Sequence, residues 1–95
     1  MKSNKDYQNQ QDFEEVLDSG TGSFNFLTLH NDDVHSFEYV IESLIEVCEH
    51  DVEQAEQCTY LVHYKGKCDV KKGTARSLNP LRKELSRRGL TATIN

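Results

Sequence analysis

Between Asp6 and Tyr64 the chain carries no lysine or arginine, although fourteen acids fall in that span. A surface of that sign repels nucleic acid and attracts cations, amines among them. No run of apolar residues approaches the ~20 needed to cross a bilayer. Met1 to Gln11 is almost wholly polar, so the N-terminus shows no apolar signal region and a cytoplasmic protein is the default expectation. The three cysteines, Cys48, Cys58 and Cys68, are odd in number and include no CxxC pair. That pattern suggests neither a disulfide framework nor a zinc ribbon, but free thiols in a reducing compartment. No Gly-x-Ser-x-Gly and no glycine-rich phosphate loop occurs, so neither a hydrolase nor a nucleotide-dependent enzyme is indicated. With four histidines and three cysteines at unsuitable spacings, no metal or other cofactor is expected.

What is present is a strongly divided chain. After the acidic stretch, Lys65 to Arg88 holds nine bases against Asp69 and Glu84, so the fold must have an acidic and a basic side. Hydrophobic residues make up 36% of the 95, enough for one small domain with little core to spare.

Residues 1–22 read as a flexible polar tail, ending in the linker-like Ser-Gly-Thr-Gly-Ser at 19–23, with Phe13, Val16 and Leu17 as a possible turn or docking motif. The domain is expected over 23–95. Phe24 to His30 alternates, with Phe24, Phe26, Thr28 and His30 on one face and Leu27 and Leu29 on the other, as a strand does. Asn31-Asp32-Asp33 then turns the chain. Ser36 suits an N-cap before the helical stripe Phe37, Val40, Ile41, Leu44, Val47, Cys48. Asp51 with Gln54 opens a second helix, which has Val52, Ala55, Thr59 and Val62 on one face and ends near Gly66. Lys67 to Lys72 alternates as a second strand. Leu78, Leu81 and Leu85 mark a third helix, and because Pro80 breaks helix interiors, a start with Asn79 as N-cap and Pro80 at the first position is expected. Gly89 closes that helix and Leu90 to Asn95 forms a last strand. The fold class is α+β: a three-stranded antiparallel sheet with three helices on one face, in the order β-α-α-β-α-β.

Three local features coincide: Leu29-His30-Asn31-Asp32-Asp33; Phe37-Glu38-Tyr39-Val40-Ile41; and Asp51-Val52-Glu53 leading to Val62-His63-Tyr64-Lys65-Gly66-Lys67. Together, from about Phe26 to Asn95, they resemble the ClpS family of adaptors. The resemblance implies a non-enzymatic protein that binds N-degrons, substrates beginning with Leu, Phe, Tyr or Trp. It further implies docking on the N-terminal domain of a ClpA- or ClpC-like unfoldase, which feeds the ClpP peptidase. The family's amine-binding residues would fall on Asn31, Asp32 and His63, with Asp33 beside them. Its side-chain pocket would fall on Phe37, Val40, Thr59, Val62 and Leu90, and its unfoldase contact on Tyr64, Lys67 and Arg76. Thr59 and Phe37 stand where methionine is common in the family, and Arg76 near a position that is usually acidic.

The chemistry suits that assignment. An α-ammonium group is a compact cation with three donors and needs acceptors on several sides once water is excluded. Asn31 offers a carbonyl, Asp32 a carboxylate and neutral His63 a ring nitrogen. Taken singly, Asn-Asp-Asp is an ordinary turn, His63 an ordinary histidine and the apolar set ordinary core. A monomer without nucleic-acid or membrane partners is expected. Two rival readings remain: a ribosome- or nucleic-acid-associated protein using the bases of Lys65 to Arg88, and a thiol enzyme using one of the cysteines.

Overall fold

The computed structural model describes residues 24–95. The tail and its Phe13, Val16 and Leu17 lie outside the described residues. The elements run β1 (Asn25–His30), α1 (Phe37–Cys48), α2 (Val52–Lys65), β2 (Lys67–Gly73), α3 (Ala75–Arg87) and β3 (Thr91–Ile94). The sheet is antiparallel throughout with β1 in the middle, in the order β2-β1-β3.

Alternation along β1 divides its side chains as expected. Leu27 and Leu29 are buried in the core with Leu44 of α1, Ala55 and Val62 of α2, Leu78 and Leu85 of α3, and Leu90. On the opposite face Phe24 and Phe26 stay exposed, with the Lys72 ammonium 5.0 Å from the centre of the Phe24 ring. Thr28 shares that outer face yet is buried, because its hydroxyl donates to Asp69 Oδ1 at 2.8 Å and accepts from Asn95 Nδ2 at 2.9 Å.

β2 carries one residue too many. Leu27 faces Lys71 and Thr28 faces Asp69, so Val70 is the extra residue of a bulge. The bulge puts Lys71 opposite Leu27, where its ammonium donates to the Cys48 carbonyl at 3.0 Å, at the negative end of the α1 dipole. The Val70 carbonyl accepts a 2.6 Å bond from buried His50 Nε2.

Each helix starts on a side-chain cap. Ser36 accepts from the Tyr39 N–H, Asp51 from Gln54 and Thr74 from Ser77. α2 ends on Gly66 at φ 95°, a left-handed position that glycine occupies without steric penalty.

Two expectations need correction. α3 begins at Ala75, capped by Thr74, and Pro80 lies inside it. The missing proline N–H is tolerated because the first turn is closed twice by Thr74 and Ser77, each side chain bonding the other's backbone, and because Leu78 is buried ahead of the proline. Asn79 caps no helix; its carbonyl accepts from the Arg82 guanidinium. Val52 lies in the first turn of α2, ahead of the packed stretch that starts at Ala55, and it is exposed.

Candidate functional site

The loop between β1 and α1 is anchored at both ends. The Asn31 N–H donates to the Gly66 carbonyl at 2.9 Å, joining the loop to the end of α2. Asp32 then folds the loop on itself. Its Oδ1 accepts from the Val34 N–H at 2.8 Å, the His35 N–H at 2.9 Å and His35 Nδ1 at 3.1 Å. Partial burial pushes the Asp32 carboxyl up, but the bonds from the His35 and Val34 amides and from the His35 ring outweigh it. The net effect holds the group below the usual carboxylate range.

Between this loop, α1, α2 and the start of β3 lies a cleft of about 310 Å³, including its open mouth. Asn31, Asp32 and His63 line it, and so do Phe37, Val40, Thr59, Val62 and Leu90. The sequence motifs, more than thirty residues apart, therefore meet in one place. Asp33 is the exception: it is exposed and does not line the cleft. The cleft also takes in Leu29 and His30, which open the first motif but were given no role in the site, and His35, which no motif included. Alternation along β1 could have pointed to Leu29. His35, three residues after an aspartate in a turn, carried a weaker signal.

The apolar wall has a defined build. Phe37 is held edge-on by two rings, Tyr60 at 5.3 Å and His63 at 5.0 Å between centroids. Thr59 is buried and its hydroxyl donates to the Ala55 carbonyl at 2.7 Å, so it brings no unsatisfied donor to the cleft. The lining combines acceptors with apolar side chains, a site suited to an amine next to an apolar side chain.

The three residues expected at a protein contact do not lie together. Tyr64, strongly exposed, stacks on Tyr60, and Lys67 opens β2 opposite His30. Arg76 sits in the first turn of α3, past the other end of β2, and the six steps from Lys67 to Gly73 at roughly 3.3 Å each set the two ends of that strand about 20 Å apart.

Two of the three cysteines, Cys48 and Cys68, are poor nucleophiles. Burial pushes the Cys48 thiol up to about 11, against the pull of Lys71, and pushes Cys68 up to about 12, with the neighbouring Cys58 adding to it. Among the described residues no cluster of three or more potential metal ligands occurs, and no helix is long and apolar enough to cross a membrane.

Residues 25–93 match the family described as ATP-dependent Clp protease adaptor protein ClpS. The chain belongs to the ClpS family. Among solved structures, the fold matches Agrobacterium tumefaciens ClpS2 bound to L-phenylalaninamide, with a TM-score of 0.72 and 20% sequence identity over 76% of this chain and 94% of that one. No curated protein matches the chain in sequence.

Proposed function

We infer that this ClpS-family protein is an adaptor that recognises N-terminal Leu, Phe, Tyr or Trp and delivers the proteins that bear them to a ClpA- or ClpC-type unfoldase for degradation by ClpP. The observation that carries this reading is the convergence of Asn31, Asp32 and His63 with Phe37, Val40, Thr59, Val62 and Leu90 on a single cleft. The ligand of the Agrobacterium protein, L-phenylalaninamide, combines a free α-amine with an apolar side chain, the two features that the cleft is built to meet.

In this reading the Asn31 carbonyl, the Asp32 carboxylate and a neutral His63 nitrogen accept from the ammonium, with Asp33 adding negative charge nearby. Charge-assisted bonds of this kind contribute about 1.5–3 kcal/mol each. Full burial of a Leu or Phe side chain adds roughly 1.5–3 kcal/mol. Tyr64, Lys67 and Arg76 contact the unfoldase as two separate patches rather than one. The adaptor works as a monomer and without a cofactor.

Several bases that might have served nucleic acid are engaged within the fold. Arg87 and Arg88 pair with Glu84, Arg88 also with Glu46, and Lys71 caps α1. The test of the main reading is titration of a labelled Phe-starting peptide against its N-acetylated twin. Acetylation removes the charge and two donors, so it should abolish binding, and equal affinities would refute the reading.

A further inference from the structure

We propose that His35 is the positioning residue of the amine site: its ring, wedged between Tyr39 and Gly89, fixes the Asp32 carboxylate in the orientation that an α-ammonium ligand requires. The proposal rests on the reading of the cleft as an amine site.

A carboxylate on a loop can rotate about two side-chain bonds. The backbone amides of Val34 and His35 restrain Asp32 Oδ1 as they would in any aspartate turn. The third donor, His35 Nδ1, is different because it is itself held. Its ring stacks on Tyr39 with centroids 4.8 Å apart and planes 18° from parallel. The Tyr39 hydroxyl donates to the Arg88 carbonyl at 2.7 Å. The next residue, Gly89, leaves the space that the ring's far edge needs: a Cβ there would stand 3.1 Å from both Cε1 and Nε2. Leu90 follows directly and forms part of the apolar wall. One imidazole thus ties the polar end of the cleft to the backbone that carries its apolar end.

The tautomer follows from the partner. A carboxylate only accepts, so in the neutral ring Nδ1 carries the proton and Nε2 is bare. A second proton makes an imidazolium that competes with the ammonium ligand for the charge of Asp32. The groups that face this ring are Asp32 from its own loop and Tyr39 from α1, with His30 of β1 and His63 of α2 lining the same cleft. The Arg88 guanidinium is turned to Glu46 and Glu84.

The test uses the full chain and four variants, with peptide affinity and the Asp32 carboxyl titration followed by NMR as readouts. His35→Ala should weaken a Phe-starting peptide about tenfold at pH 7.5, while His35→Asn, whose amide can stand where Nδ1 stands, stays within about threefold. Asp32→Asn combined with His35→Ala should bind no more weakly than Asp32→Asn alone, because both act through one carboxylate. In His35→Ala the Asp32 titration should rise toward the ordinary carboxylate range. Fully additive losses in the double variant, or an Asp32 titration indifferent to residue 35, would overturn the proposal whatever the peptide does. Failure of the unaltered protein to bind the Phe peptide would instead overturn the amine-site reading.

Discussion

The backbone N–H of Asn31 and the carbonyl of Gly66 are joined at 2.9 Å, so the loop that carries Asn31 and Asp32 is fastened one turn beyond His63. Gly66 can serve there because its φ of 95° lies in the left-handed region.

Replacing Gly66 by alanine tests that junction. A Cβ would meet nothing within 4 Å, so the cost is confined to the backbone and should be about 1–2 kcal/mol. For a domain of this size each kcal/mol lowers the melting temperature by roughly 4–8 °C. A thermal melt unchanged from the parent would mean that residue 66 does not hold this conformation in solution.

If the cleft takes a substrate's first residue as proposed, Thr59 should set the selectivity of its apolar wall. It is smaller than methionine, and its hydroxyl is already engaged by Ala55, so it leaves room beside the first residue's Cβ. Phe37, clamped by Tyr60 and His63, refills part of that room. Discrimination between Leu- and Ile-starting peptides should therefore be only about 1–2 kcal/mol, and Thr59→Met should sharpen it. The ratio of the two dissociation constants measures this; if Thr59→Met leaves that ratio unaltered, Thr59 plays no part in selectivity.

Glu84 should give the fold a distinct acid dependence. Its bonds to Arg87 and then Arg88 hold the carboxyl at about 2, well below its ordinary 4.5. A depressed folded-state value means that the stabilisation is fully present above pH 4.5 and is lost as pH falls through about 2. Glu84→Gln should thus be less stable than the parent at neutral pH, with the difference closing over that window. Urea midpoints at pH 7, 4 and 2 would show it, and a difference that persists undiminished at pH 2 would assign the effect to packing.

Thr28 anchors the outer face of the sheet through Asp69 and Asn95. Thr28→Val keeps the shape and removes both bonds, and should cost about 1–3 kcal/mol because one partner is a carboxylate. Asp69→Asn, which leaves an acceptor in place, should cost less. Equal losses in the two variants, read from urea unfolding, would place the effect on the Asp69 charge rather than on the Thr28 hydroxyl.

Much of this was legible in the sequence because the signals were local. The period of two along β1, the caps at Ser36 and Asp51, and the stop at Gly66 each depend on a few neighbouring residues. The cleft was legible for another reason: three local features matched one family together. What escaped depended on partners distant in the chain. Pro80 pointed to a late start for α3, since its local penalty is plain while the double cap at Thr74 and the burial of Leu78 are supplied by the fold. His35 became visible only when Tyr39 and Gly89 closed around it. The separation of Arg76 from Lys67 needed the direction of β2.

The bulge at Val70 has a further consequence if, as proposed, the protein meets clients as they are being pulled apart. β2 is an edge of the sheet, and unpaired edges recruit any extended chain that passes. An extra residue in mid-strand breaks the even spacing of donors and acceptors that such a visitor would need. β3, the other edge, offers only four residues. An adaptor that works as proposed would therefore hold a substrate by its first residue without being drawn into the substrate's own misfolding.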